Sequence, residues 1–343
     1  VVHATEPDSA SVKRVKVYPF PAIGYSPETR WYVGAVALFN LRLSENNLDK
    51  PSTVELEFNY TQNKQFIYAE NHELRFGENK FLFTGENGYF RYPEYYWTEG
   101  YDDESDTDDI KTEYDADRVE IDNTFMTKIR GWGPFAGIRF RYHYMEILSA
   151  DEPFDYEPGT EFRAAGLGPS FVFDTRDNPL NATKGFYFSG NALFFSDFFD
   201  GAYAFQKAET DFRIYAGFRN KSVLAFQGVL NGSWGSDIPF RMLSLMGGER
   251  IMRGYYLGRY RDNHLFATQA EYRAPIWKWF GATVFLGHGL VYGEENSDNL
   301  VKKFSYGAGL RFRIDKKDNV NLRFDYGMGK NTSGFYISFG EAF

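Results

Sequence analysis

Asn319-Val320-Asn321-Leu322-Arg323-Phe324-Asp325-Tyr326-Gly327 decides the fold class. Apolar residues hold every even position from Val320 to Tyr326, and polar residues or glycine hold every odd one. A period of two places all apolar side chains on one face of an extended chain. A helix would scatter Arg323 and Asp325 around its circumference, so the segment reads as a strand. The stretch before it repeats the pattern. Phe304, Tyr306, Ala308, Leu310, Phe312 and Ile314 share one face, and Ser305, Gly307, Gly309, Arg311 and Arg313 share the other. Far upstream, Val54, Leu56, Phe58 and Tyr60 alternate with Glu55, Glu57, Asn59 and Thr61.

Such segments fill nearly the whole chain. The boundaries are 17–25, 30–43, 52–63, 66–77, 79–91, 118–131, 134–148, 164–176, 185–196, 203–219, 222–235, 263–275, 281–294, 302–315, 319–328 and 333–343. This gives about sixteen strands, an even number within the range of bacterial outer-membrane barrels. A water-soluble sandwich or propeller would bury the aromatic face inside. A membrane barrel would turn that face to lipid and keep charge in a wet lumen. The polar face is rich in Arg, Glu, Asp and Asn, and Tyr, Phe and Trp crowd the strand ends as interfacial girdles do. The fold class is therefore all-β, a closed transmembrane antiparallel β-barrel, because lipid tolerates no open sheet edge.

The composition agrees with this reading and removes several functions. The 343 residues include 35 Phe and 25 Tyr, and aromatics make up 19% of the chain. The formal net charge of −9 argues against a nucleic-acid footprint, which is basic. With no Cys, disulfides, thiolate metal sites and Cys nucleophiles are excluded. No apolar run is long enough for a transmembrane helix, which leaves strands as the means of crossing. No signal peptide heads the sequence, so an exported protein would already have lost it. With an even strand number and a periplasmic C-terminus, the long connections 92–117, 149–163 and 236–262 fall on the outer side. Short turns fall on the periplasmic side. The expected organisation is a short periplasmic segment, 1–16, and a barrel, 17–343.

Four stretches carry a family resemblance. Asp174-Thr175-Arg176-Asp177-Asn178-Pro179-Leu180 followed by Thr183-Lys184-Gly185 is similar to a signature turn. Gly247-Gly248 followed by Arg253-Gly254-Tyr255 resembles a long-loop Arg-Gly-aromatic motif. Glu271-Tyr272-Arg273 with Pro275 matches the strand after that loop. Pro19-Phe20-Pro21 followed by Gly24-Tyr25-Ser26-Pro27-Glu28-Thr29 looks like a first hairpin. In this order they resemble the bacterial surface-antigen superfamily, the group of BamA, TamA, the two-partner-secretion transporters and the patatin-linked barrels. The resemblance implies that the loop bearing Arg253 folds back into the lumen and that Arg253 pairs with acidic lumen residues. Parity puts Gln269, Glu271 and Arg273 on one face, so Glu271 is the natural partner. The alternative is a solvated loop charge.

The sequence also departs from the family. Many members carry an Asp on the thirteenth strand, where Phe285-Leu286-Gly287-His288-Gly289 has Gly287, so one acidic partner of Arg253 is expected to be lost. Members usually carry periplasmic transport-associated domains ahead of the barrel, whereas only 1–16 precede the first strand here. The first strand contains Pro19 and Pro21, which have no N–H to donate. The last contains Gly334 and Gly340, and it ends at Phe343 on the same parity as Phe335, Ile337 and Phe339, resembling an outer-membrane sorting signal. A weak seam between first and last strands is the expectation.

Other candidates are thinner. Asp102, Asp103, Glu104, Asp106, Asp108 and Asp109 are six carboxylates within eight residues, a candidate Ca²⁺ or lipopolysaccharide-bridging loop. They lack the Gly and distal Glu of an EF-hand, and a solvated acidic loop explains them as well. The five His show no metal spacing, and no nucleophile elbow is present. The expected function is non-enzymatic, without cofactor or nucleic acid. It is an outer-membrane barrel in membrane biogenesis, protein insertion or secretion, with outer-membrane lipid, lipopolysaccharide and envelope proteins or a second copy as partners. The alternatives are a structural subunit of an envelope complex and a passive pore.

Overall fold

A computed structural model describes residues 15–27, 29–43, 52–97, 111–129, 133–151, 161–197, 201–293, 300–314 and 320–343. Residues 1–14 of the expected N-terminal segment, and Asp102, Asp103, Glu104 and Asp106 of the acidic loop, lie outside them. The strands are β1 (Val15–Ser26), β2 (Arg30–Leu41), β3 (Ser52–Thr61), β4 (Phe66–Phe76), β5 (Phe81–Tyr96), β6 (Thr112–Lys128), β7 (Phe135–Ala150), β8 (Glu161–Asp174) and β9 (Gly185–Ser196). They continue as β10 (Phe205–Gly217), β11 (Val223–Trp234), β12 (Ser244–Met246), β13 (Tyr260–Asp262), β14 (His264–Trp277), β15 (Phe280–Tyr292), β16 (Val301–Arg313), β17 (Asn321–Gly329) and β18 (Thr332–Phe339).

Sixteen of these close into one antiparallel barrel, each paired with its neighbours in chain order. The short pair β12–β13 stands apart, inside the long connection between β11 and β14. The barrel count matches the sequence reading. The first strand begins at Val15, two residues earlier than its pattern suggested. The β5 and β6 strands run beyond the lipid-facing alternation to Tyr96 and from Thr112, so they rise above the barrel rim into what reads as loop.

Burial is inverted relative to a water-soluble protein, and this orients the wall. The outward parity is apolar and bare: Val33, Leu286 and Phe304 are 59%, 63% and 67% exposed. Charged side chains are buried instead, among them Arg253, Glu271, Arg323 and Asp325. Lipid solvates the first set and the lumen side chains enclose the second. Aromatics mark both rims, with Trp31, Tyr60 and Phe66 at the outer ends and Trp277, Trp279 and Phe280 at the inner ends.

The lumen is braced by ion pairs across the barrel. Arg139 and Arg141 on β7 both bind Asp122 on β6, at 2.6 and 2.7 Å, and both reach Glu209 on β10, at 3.1 and 2.8 Å. They span β8 and β9 because the intervening lumen positions include Ala164, Gly166, Gly168 and Ser170, which leave the space open.

Candidate functional site

The long connection folds inward, and Arg253 lies at its deepest point with a side chain that is fully buried. Its Nη2 donates to Glu271 Oε2 on β14 at 2.6 Å, and its Nη1 donates to Asp325 Oδ2 on β17. Its guanidinium lies 3.6 Å from the ring centroid of Phe285 on β15. One cation therefore bridges two carboxylates three strands apart, over an aromatic face.

Further arginines satisfy the same carboxylates. Arg273 Nε donates to Glu271 Oε1 at 2.7 Å, and Arg311 Nη1 donates to Asp325 Oδ1 at 2.6 Å. Arg311 Nε donates to Glu341 at 2.7 Å. Arg323 Nη2 donates to Glu249 at 3.1 Å, which holds the start of the loop. Paired carboxylates offset much of the cost of removing these charges from water, while Arg253 Nε, Arg273 Nη1, Arg311 Nη2 and Arg323 Nε are buried without a hydrogen-bond partner among the described residues.

Backbone contacts hold the rest of the motif. Gly254 N donates to the Tyr336 hydroxyl at 3.0 Å, and Thr332 Oγ1 donates to Gly254 O at 3.0 Å. The Tyr255 hydroxyl donates to Phe304 O at 3.0 Å and accepts from Lys330 N at 2.9 Å. Gly254 has φ +110°, which a side chain would strain, and it packs on Gly327 of β17. A Cβ at Gly327 would lie 2.5 Å from the Arg253 carbonyl carbon. The loop thus lies directly on the barrel wall.

The expected loss of an acidic partner at Gly287 is corrected here. The second carboxylate comes from Asp325, two strands further on, and Gly287 serves another purpose. A Cβ there would meet Met252 Sδ at 3.1 Å, and Met252 and Met246 also fill the space over Gly289. Bare wall at 287 and 289 admits the two loop methionines. Asp325 was visible in the quoted alternation, but only as a lumen charge, because nothing in local sequence shows that β14 and β17 face one guanidinium.

The last strand is also corrected. It ends at Phe339, not Phe343. Gly340 has φ +77° and turns the chain inward. Phe343 is buried against Ala182, Tyr215, Val223 and Ala225, and its carbonyl accepts from Arg273 Nη2 at 2.9 Å. Parity put Phe343 on the lipid face, but the left-handed turn at Gly340 and the Glu341–Arg311 pair redirect it into the lumen.

The Asp174–Gly185 turn links β8 and β9 at the end of the barrel opposite the long β11–β14 connection. Asp174 accepts Arg176 N, Nε and Nη2 at 3.0, 2.9 and 2.9 Å. Asp177 Oδ1 accepts the N–H groups of Asn178, Thr183 and Lys184 at 3.1, 2.9 and 3.2 Å, and its Oδ2 accepts the Thr183 hydroxyl. Burial pushes the Asp177 carboxyl up, but these donors win and hold it below the usual carboxylate range. Asn178 Oδ1 accepts Leu180 N at 2.9 Å, and the Pro179 carbonyl lies near Arg176 Nη1. Gly185 has φ +110°, and a Cβ there would meet Thr175 O at 2.5 Å.

At the seam, Pro19 and Pro21 lie on β1 within an unbroken ladder to β2. Proline cannot donate, so the even residues carry that ladder and the two missing N–H groups lie on the other edge of β1. There the register set by Tyr25 and Ile337 puts Pro21 and Pro19 opposite positions 341 and 343, past the end of β18 at Phe339. Among the described residues, β1 and β18 are in register at one pair, Tyr25 with Ile337. Gly334 packs against Pro27 of the first turn. Among the described residues no cluster of His, Asp or Glu is arranged to hold a metal ion.

The chain resembles solved barrels. It has a TM-score of 0.62 to BamA from Haemophilus ducreyi lacking POTRA domains 1–3, at 13% identity, covering 95% of this chain and 70% of that one. Against CdiB from Escherichia coli the TM-score is 0.63 at 12% identity, covering 94% and 62%. Against CdiB from Acinetobacter baumannii it is 0.59 at 12% identity, covering 95% and 60%. The chain thus spans less than two thirds of the two CdiB chains. No curated protein matches it in sequence. These likenesses show the fold, and the family is shown by sequence: residues 36–343 match the Omp85 superfamily domain, so the chain belongs to that superfamily as a BamA-like barrel of the bacterial outer membrane.

Proposed function

We propose that this barrel inserts or secretes proteins at the outer membrane by parting β1 from β18, while the Arg253 loop keeps the lumen closed. The carrying observation is the single register pair at the seam. The edge of β1 runs on past the end of β18 at Phe339, and such an edge is an accessible template for a client strand. The chemistry is non-enzymatic: the barrel supplies an edge and a thinned bilayer, and no bond is made or broken. A partner envelope protein, or a second copy, would deliver clients.

The chain has no Cys, so a seam lock introduces the only disulfide. Tyr25→Cys with Ile337→Cys joins the registered pair. In proteoliposomes, assembly of an unfolded outer-membrane barrel is read by its heat-modifiable mobility. The oxidised variant is expected to stop assembly and the reduced one to restore it. Equal assembly in both states sinks the gate.

The loop in the lumen argues against an open pore. Planar-bilayer recordings are expected to show low, flickering conductance that rises in Arg253→Ala and in Glu271→Ala. Large steady conductance unaffected by either change would make the protein a passive pore.

A further inference from the structure

At the outer mouth, five separate parts of the chain converge on one small cavity of about 190 Å³. The end of β5 supplies Tyr95, with Trp97 just beyond it, and Lys111 immediately precedes β6. The inward-folding connection supplies Tyr256 and Arg259, and the first hairpin supplies Arg30. Thr332 and Ser333, the first residues of β18, complete the lining. The cavity therefore sits over the outer end of the seam, touching the β1–β2 turn on one side and β18 on the other.

Its chemistry is one-sided. Three aromatic rings cluster: Tyr256 lies 5.2 Å from Trp97 and 5.6 Å from Tyr95, centroid to centroid, at steep angles. Lys111 Nζ lies 4.6 Å from the Tyr95 ring centroid, and Arg30 Nη1 donates to the Tyr25 hydroxyl at 3.3 Å. Three cations, phenol and aliphatic hydroxyls and aromatic faces line the space, with no carboxylate among the described lining residues. Arginine and lysine recognise phosphate oxygens, and exposed ring faces accept the C–H faces of a sugar. The volume falls below the roughly 300–1,000 Å³ of drug-sized pockets, which suits a single headgroup unit. The exposed apolar side chains of Ile23, Trp31 and Val33 on β1 and β2 begin beside it.

We propose that this cavity binds a phosphorylated sugar, as presented by an anionic glycolipid headgroup or as a free sugar phosphate. A bound headgroup would contact the first hairpin and β18 together, so it would clamp the outer end of the seam. The binding itself does not depend on the gate, and loss of either idea leaves the other standing.

The test uses the full chain in nanodiscs. Intrinsic tryptophan fluorescence is titrated with glucose 1-phosphate, glucose, inorganic phosphate and lipopolysaccharide-containing vesicles, with phosphatidylcholine vesicles as the blank. Trp97→Phe assigns the signal to the cavity. The expected result is saturable quenching by the sugar phosphate and by lipopolysaccharide. Affinity should be about tenfold or more weaker for phosphate or glucose alone, and about tenfold weaker in Arg259→Ala or Lys111→Ala. Heat-modifiable mobility confirms that each variant is folded. Tighter binding to the vesicles than to the free sugar phosphate identifies a membrane lipid as the source, and equal binding identifies a soluble one. Three results overturn the proposal. One is the absence of a saturable signal. Another is inorganic phosphate binding as tightly as the sugar phosphate. The third is binding that appears only after Asp102, Asp103, Glu104, Asp106, Asp108 and Asp109 are replaced by Asn or Gln, which would make the chain's own acids the occupant.

Discussion

Strand β18 has two neighbours and is held by them very differently. Towards β17 it runs in register over eight pairs, from Leu322 with Phe339 to Gly329 with Thr332. The lumen side adds more: Tyr336 receives the loop amide of Gly254, and Glu341 just past the strand receives Arg311. Towards β1, among the described residues, one pair is in register. The difference lies in where donors and charges fall. On the β17 side, lumen positions carry Arg323 and Asp325, which couple the wall to the loop. On the β1 side, β18 ends at Phe339 and turns inward at Gly340, so the register runs out before it reaches Pro21 and Pro19, whose edge has no N–H to donate at those positions. A closed barrel can thus have one well-bonded flank and one poorly bonded flank on the same strand, and the loop ties β18 to the strong one.

The largest way to break this contrast is at Asp325. Asp325→Ala leaves Arg253 and Arg311 buried against one carboxylate fewer each. Removing one partner from a buried pair costs about 3–5 kcal/mol. The expected outcome is a clear fall in the temperature at which the barrel loses its compact gel mobility, together with higher bilayer conductance as the loop comes free. If neither moves, the loop is not held by this carboxylate.

A steric change tests the same flank without touching charge. Gly327→Ala places a Cβ against the Arg253 and Gly254 backbone, which cannot swing away as a side chain could. Overpacking of this kind costs about 1–3 kcal/mol. Protease digestion should cut the loop faster, while the β1–β2 hairpin keeps its native protection. Unchanged loop cleavage would mean that the close Gly254–Gly327 approach is not needed for docking.

Each flank was half legible in the sequence. Strict alternation around Asp325 and in Phe304–Ile314 fixed the strands and their faces, because lipid on one side and charge on the other impose period two. Glu271 could be matched to Arg253 by parity after the family resemblance supplied the inward loop. Asp325 could not, since its meeting with Arg253 depends on how the wall curves past β15 and β16. The inward turn of Phe343 was equally hidden: Gly340 permits φ +77° but does not require it, and the Glu341–Arg311 contact that accompanies it is long-range. At the seam the missing N–H groups of Pro19 and Pro21 were local facts, but the end of β18 at Phe339, which stops it short of them, was hidden by the same turn.

Strengthening the weak flank should sharpen the contrast from the other side. Gly340→Val with Pro21→Val disfavours the inward turn after Phe339 and gives β1 a donor opposite position 341, so that β18 can continue along β1. Each hydrogen bond that forms contributes about 0.5–1.5 kcal/mol. Hydrogen exchange is expected to slow in β1 and β18 and to stay unchanged in β17, and client assembly in proteoliposomes should slow with it. Faster or unaltered exchange at the seam would show that something other than the early end of β18 keeps it from pairing with β1.

The smallest effect lies farthest from β18, in the Asp174–Gly185 turn, and serves as the reference for a locally closed unit. Hydrogen bonds from Thr183, Lys184 and Asn178 hold the Asp177 carboxyl below its ordinary value despite the opposing effect of burial. A depressed folded pKa means that the stabilisation is fully present above the unfolded value of about 3.9 and is lost as pH falls through the lower folded one. The group is largely solvated, so the change stays local and the barrel as a whole should not respond. Amide shifts of Thr183 and Lys184 followed by nuclear magnetic resonance are expected to titrate with a midpoint under 3.9 and to lose that titration in Asp177→Asn. The seam and the Arg253 loop should keep their exchange rates over the same range in the variant. A midpoint at or above the ordinary carboxylate value would mean that the donors do not hold the ionised form, and the turn could no longer be treated as independent of its surroundings.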